Sequence, residues 1–247
     1  MRQPATRTRS SKRLWVAAFS LATAFAVAPA PSATAPASAP PVFNSPSNVP
    51  LQQYRAMRRM HASTERFSHE GWMDAWTEFD SGGFRYQIVA ERGSDTVRNK
   101  VLRTVLKREQ EAIASGNLGR GELTAANYEF GEEVAGPGER YIPIKPKRKD
   151  VMLIDGRIVL GADGDLLRVE GRISKNPSFW TSEVQIKQHF ARVNGVRVPI
   201  LMESVAKVKL VGRSNLNVRY EYETINGEAV KTAAASAPAA LLPASAR

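Results

Sequence analysis

The side chains that could bind a metal, move a proton or attack a bond are few in this chain. It has 247 residues, three histidines (His61, His69 and His189) and no cysteine. The lack of thiols excludes disulfides, thiolate zinc centres, iron–sulfur clusters and cysteine nucleophiles. No histidine lies in a metal-ligand spacing such as H-E-x-x-H, and there is no G-x-S-x-G elbow or phosphate loop. The glycines at 116, 119 and 121 (GNLGRG) follow a predicted helix, so they read as a loop. Asp163-Gly164-Asp165 lacks the downstream ligands of a calcium loop and reads as a turn. Four carboxylates could form an acid–base pair: Asp74, Glu78, Glu170 and Glu203. All fall on predicted strands, where most read as solvated outer-face charges. The chain is therefore read as a binding protein with no catalytic residue, metal or cofactor. A hydrolase using those carboxylates is the catalytic alternative.

The formal charge of +11 invites a nucleic-acid reading, but its distribution argues against one. Arg2, Arg7, Arg9, Lys12 and Arg13 precede an apolar run from Leu14 to Ala28, and no acid lies before Glu65. A basic stretch, an apolar run too short for the roughly 18–20 residues of a bilayer span, and small residues after it describe an export signal. The leader is placed at 1–37, with an uncleaved anchor as the alternative. Its removal leaves +6 and points to a periplasmic or secreted protein with no nucleic-acid partner. With no cysteine, no lipid anchor is expected. Residues 38–50 and 229–247, rich in Ala, Pro and Ser, read as disordered flanks of a folded unit at 51–228.

Within that unit the apolar residues alternate. In 214–225, Leu216, Val218, Tyr220 and Tyr222 share one face. The run 196–211 is a long strand bent near Pro199, and Asn194-Gly195 joins it to 182–193 through a type I′ turn. Asp155-Gly156 reads as the same kind of turn, between 151–154 and 157–160. Further strands fall at 54–67 (a helix start near Leu51 is the alternative), 71–80, 84–91, 126–133, 139–145 and 165–174. One helix interrupts them, with Ser94 as predicted N-cap, an apolar stripe from Val97 to Ile113, and Gly116 at its end. The predicted fold is α+β: a curved antiparallel sheet of nine or ten strands, an incomplete β-barrel, with one long helix on its concave side. An outer-membrane barrel would share the alternation, but the charged helix, the short strands and the Ala/Pro-rich tail disfavour it.

The aromatic and methionine residues concentrate on these strands. Inward apolar residues of a curled sheet either fill a core or line a ligand cavity. Alternation nominates Trp72, Trp76, Phe84, Tyr86, Phe130, Phe190, Met202, Tyr220 and Tyr222 as cavity lining. The run Lys145-Pro146-Lys147-Arg148-Lys149 is the densest local charge of the folded unit and reads as a solvated loop, with lipid headgroups or an acidic partner as the functional alternative.

The stretch 166–225 resembles the C-terminal half of the periplasmic lipoprotein carriers and receptors (the LolA/LolB-like superfamily), nearest to exported members whose role is uncharacterised. The resemblance rests on the strand ending in Asn194-Gly195, then Val196-x-Val198-Pro199, then Met202-Glu203-Ser204, and a closing strand with Tyr220 and Tyr222. It implies an incomplete barrel holding an acyl chain or other apolar ligand under helices. The expected function is an exported carrier or binding protein for a lipid or other hydrophobic molecule. The alternative is an envelope structural or interaction protein with a filled core and a protein partner.

Overall fold

The computed structural model of the protein describes residues 49–231, apart from 67, 137, 138 and 210. The predicted leader, most of the linker and most of the tail lie outside the described residues. Three long strands come first: β1 (Tyr54–Thr64), β2 (His69–Asp80) and β3 (Gly83–Gly93). A helix, α1, follows over 95–114, with a π-helical turn at Arg98–Leu102. Short strands β4 (Tyr128–Phe130) and β5 (Val134–Ala135) lead into β6 (Arg140–Pro146), β7 (Ile154–Leu160) and β8 (Leu166–Ile173). The series ends with β9 (Thr181–Val193), β10 (Val196–Val208), β11 (Gly212–Ile225) and β12 (Glu228–Ala229). All join one antiparallel sheet in the order β3-β2-β1-β11-β10-β9-β8-β7-β6-β4, with β12 beside β11 and β5 beside β6. β3 and β4 stand at opposite edges, so the barrel stays open, as the alternation predicts.

Local chemistry accounts for most of the turns. Asn194 and Gly195 have φ of 50° and 76°, the two positive angles that a type I′ turn requires. The register of β9 against β10 slips between Pro199 and Leu201. Proline has no N–H for the ladder, which is why the predicted bend takes the form of a bulge there. Gly116, at φ 68°, ends the helix. Ser94 stands at the helix start, but its side chain makes no cap bond; its carbonyl accepts the Arg98 N–H at 2.9 Å.

The Asp155-Gly156 turn is corrected by the structure. Both residues lie inside β7, and Gly156 pairs with Gly171 of β8. A Cβ on Gly156 would sit 2.1 Å from the Glu170 carbonyl oxygen. This glycine serves a close approach between strands, which period and composition cannot distinguish from a turn signal. Two contacts fall just outside 51–228: Val49 bridges Val196 in parallel, and Val230 packs against the cluster of Leu51, Val196, Val198 and Ile225.

The inner face of the sheet carries two cores. One lies under α1, where Val101, Leu102, Val105 and Leu106 pack on Met60, Met73, Phe84, Met202, Val218 and Tyr220. The other spans β4 and β6–β9, where Ile142, Ile144, Ile158, Val169, Val184, Ile186 and Phe190 meet Leu153 from the β6–β7 connection.

Candidate functional site

The helix-covered half contains the most unusual chemistry among the described residues. β1 places Ala56, Arg58, Met60 and Ala62 on its inner face, and Arg58 is 1% exposed. On α1, Glu109 continues the stripe of Leu102, Val105 and Leu106 and is itself buried. The two meet as a bidentate pair: Arg58 Nη2 donates to Glu109 Oε1 at 2.8 Å, and Nη1 donates to Oε2. Nη2 also donates to the Tyr54 hydroxyl at 2.7 Å. The guanidinium lies between the rings of Phe84 and Tyr220, at 5.0 and 4.8 Å from their centroids. Its Nε is buried without a hydrogen-bond partner. Burial alone would lower the Arg58 pKa, but the Glu109 carboxylate holds it well above its ordinary value.

An aromatic wall surrounds this pair. Tyr54 stacks on Phe79 at 6.0 Å and meets Tyr222 edge-on at 5.7 Å. Tyr222 stacks on Tyr220 and donates its hydroxyl proton to the Pro199 carbonyl at 2.9 Å. Burial pushes the Tyr220 hydroxyl up to about 12 and raises those of Tyr54 and Tyr222 as well. Gln110 donates to the Phe84 carbonyl at 3.2 Å, a second tie between helix and sheet. At the start of the helix, Arg98 and Arg103 both reach Glu91 of β3.

Five of the nine nominated residues meet here: Phe84, Tyr86, Met202, Tyr220 and Tyr222 all belong to or pack against this core. Phe190 and Phe130 belong to the other one. Trp72 and Trp76 alternate with the buried Met73 and Ala75 and therefore project from the outer face. There Trp72 stacks on His61 at 4.7 Å under Arg92, and Arg55 covers Trp76 at 4.3 Å. Their place on the outer face corrects the inward reading. Aromatic residues with cationic neighbours are stable on a solvated sheet face, and Trp72 and Trp76 share theirs with Asp74 and Glu78, whose charges mark it as the outer one.

Sequence reasoning missed Arg58, Glu109 and Tyr54. Its usable signal was a charge standing in an apolar register twice: Arg58 between Ala56 and Met60 on a strand, and Glu109 between Val105 and Ile113 on a helix.

The four strand carboxylates do not form one site: Asp74 and Glu78 stand on β2, apart from Glu170 on β8 and Glu203 on β10. Glu78 pairs with Arg55, Glu170 with Arg157 and Arg168, and Glu203 with His189. Glu170 and Glu203 line an open depression of about 640 Å³ between β6 and β10, with Tyr141, Arg157, Lys187 and Val205. None of the nine nominated residues lines it. Among the described residues no group of three His, Asp or Glu side chains could hold a metal ion. No described helix is long and apolar enough to cross a membrane. No family model and no curated protein matches the chain.

Proposed function

We propose that the chain is an exported binding module for a hydrophobic molecule, such as a lipid or acyl chain. The ligand enters between α1 and the aromatic wall of β1–β3 and β11. The observation that carries this reading is the fastening of the helix by a buried ion pair. Apolar residues of similar volume would hold a helix as well or better, because burying two charges costs several kcal/mol per ion before their attraction offsets it. A charged fastening is strong when dry and weak when wet. Once the helix lifts, water reaches Arg58 and Glu109, and the rings of Phe84, Tyr86, Tyr220 and Tyr222 become an apolar surface. The basic N-terminal stretch with its apolar run, and the resemblance of 166–225 to periplasmic lipoprotein carriers, support export and this ligand class. The reading assigns binding rather than catalysis.

Mass spectrometry of gently purified protein is expected to find co-extracted lipid. Glu109→Gln is expected to raise the uptake of a lipophilic dye. A lipid-free protein that takes up no dye, in wild type or variant, would sink the reading. The second reading, an envelope interaction protein, is favoured by one observation: Met202 and Tyr220 are buried against neighbouring side chains with the helix closed. Recovery of a stoichiometric protein partner from envelope extracts, by a chain that carries no lipid, selects it.

A further inference from the structure

The two ends of the sheet differ in chemistry. At one end lie the turns Ser81-Gly82, Asn194-Gly195 and Asn226-Gly227 and the loop 161–165, whose charges are Asp163 and Asp165. None of these connections carries a basic or aromatic residue. At the other end lie the β1–β2, β6–β7, β8–β9 and β10–β11 connections. These present Lys147, Arg148, Lys149, Lys175 and Lys209. Of the acids in these connections, Asp150 is 4% exposed and held by Arg120, and Glu65 of the β1–β2 connection is exposed, next to Arg66 in the chain.

The basic end also holds the most exposed of the large hydrophobic residues described. Phe179 is 79% exposed, and Trp180, beside it, is 36% exposed. The two rings meet edge to face at 5.7 Å, and Lys209 Nζ stands 4.0 Å from the Phe179 ring. The loops form a connected platform. The Lys209 N–H donates to the Trp180 carbonyl at 2.8 Å. Ser174 accepts the Asp150 N–H at 2.9 Å and donates to the Asp150 carbonyl at 2.8 Å. The aromatic pair is therefore fixed relative to the basic loops on both sides.

We infer that this end of the sheet docks on a bilayer surface bearing anionic headgroups, with Phe179 and Trp180 inserted at the interface and the lysines around them on the phosphates. Exposed aromatic rings are stable where one side is apolar and the other wet. Basic side chains beside them add attraction to anionic lipid. The Phe179 ring is largely exposed on the β8–β9 connection, which suits insertion into lipid. The inference does not depend on the ligand proposed under the helix, which lies on the inner face.

The chain has no cysteine, so Ser178→Cys in the full-length protein accepts a single environment-sensitive fluorophore next to the aromatic pair. Ser81→Cys labels the opposite end. Vesicles of phosphatidylcholine alone and of phosphatidylcholine with phosphatidylglycerol in equal parts are the probes. A blue shift is expected at position 178 with the mixed vesicles, weakening as salt rises, and none at position 81. Phe179→Ala with Trp180→Ala is expected to weaken that response about tenfold or more. If this pair of changes alters the thermal melt, Lys175→Gln with Lys209→Gln, which leaves the rings in place, is expected to remove the preference for the mixed vesicles. The inference is overturned by a silent label at 178, by equal responses at 178 and 81, or by equal responses to the two vesicle types. A response to soluble polyglutamate matching that to mixed vesicles also overturns it, because the surface would then be one for an acidic protein.

Discussion

The two halves of the inner face solve the same burial problem with different chemistry. The half spanning β4 and β6–β9 closes on aliphatic side chains, with Ile158, Leu160, Val169 and Ile154 fully buried. It needs no helix, because the sheet curls over its own core and the β6–β7 connection supplies Leu153. The half spanning β1–β3 and β11 is covered by α1 and contains a buried ion pair ringed by aromatic residues. Aliphatic packing is non-directional and tolerates small shifts, whereas a bidentate pair demands one helix position. The first half is thus built as scaffold. The second has a cover held in one place by charge, which the proposed function takes to be releasable.

The largest expected effect tests that difference directly. Arg58→Ala leaves the Glu109 carboxylate buried and uncompensated, at a cost of about 3–5 kcal/mol. Replacing both partners, Arg58→Met with Glu109→Met, is expected to restore stability to the wild-type level or above it by about 1–4 kcal/mol. Urea unfolding of the three proteins measures both. If the double variant is as unstable as the single one, the pair contributes more than packing, and the releasable cover loses its basis.

Ile158→Ala probes the scaffold half. A fully buried isoleucine reduced to alanine is expected to cost about 2–5 kcal/mol. Hydrogen exchange should separate the two halves more sharply than global stability does. Glu109→Gln is expected to speed exchange in α1 and leave β7 and β8 protected, whereas Ile158→Ala is expected to speed exchange in β7–β9. Equal acceleration across both halves by either change would show one cooperative unit and abolish the distinction.

This difference also sets how much of the molecule was legible in the sequence. The long hairpin reads clearly: alternation in 182–193 and 196–208, with Asn194-Gly195 between them, is resolved by steric rules local to the chain, whereas Asp155-Gly156 in the scaffold half imitates a turn inside β7. The helix is legible from its apolar stripe. The fastening is not, because an arginine and a glutamate 51 positions apart carry no local sign of meeting. Trp72 and Trp76 show a related limit. Alternation assigns residues to two faces, and β2 offers Gly71, Met73 and Ala75 on one side against two tryptophans interleaved with Asp74 and Glu78 on the other, so ring size and charge point in opposite directions. The bulkier set was the wrong one to place inward, since small residues are what the helix needs for close approach: a Cβ on Gly71 would meet Val97 at 3.1 Å.

Two pH windows sharpen the comparison with smaller effects. On the alkaline side, burial disfavours the Tyr220 phenolate and pushes the hydroxyl from its ordinary 10.0 up to about 12 in the fold. A raised folded value means that its contribution is fully present below the unfolded value and is lost as pH rises through the folded one. The helix-covered half is therefore expected to weaken between about pH 10 and 12. Tyr220→Phe should flatten that part of the stability profile, and a profile unchanged by the substitution would place the alkaline transition elsewhere.

The smallest effect lies on the acid side, at the β7–β8 turn of the scaffold half. Asp165 accepts hydrogen bonds from Arg192, at 2.8 Å through Nε, and from Arg197, at 3.2 Å. The Arg192 hydrogen bond, more than any other influence, holds its carboxyl below the ordinary value of 3.8. A lowered folded value reverses the sign: the contribution is present above pH 3.8 and is lost as pH falls through the folded value. Asp165→Asn is expected to reduce stability slightly at neutral pH and to flatten the decline below pH 3.8, measured by urea midpoints across that range. The pair is partly exposed, so added salt should shrink the difference, unlike that produced by Arg58→Ala in the dry interior. Salt sensitivity at Asp165 together with insensitivity at Arg58 would separate a surface fastening of the scaffold from a buried fastening of the cover. Equal sensitivity would mean that water already reaches Arg58 and that the cover stands partly open at rest.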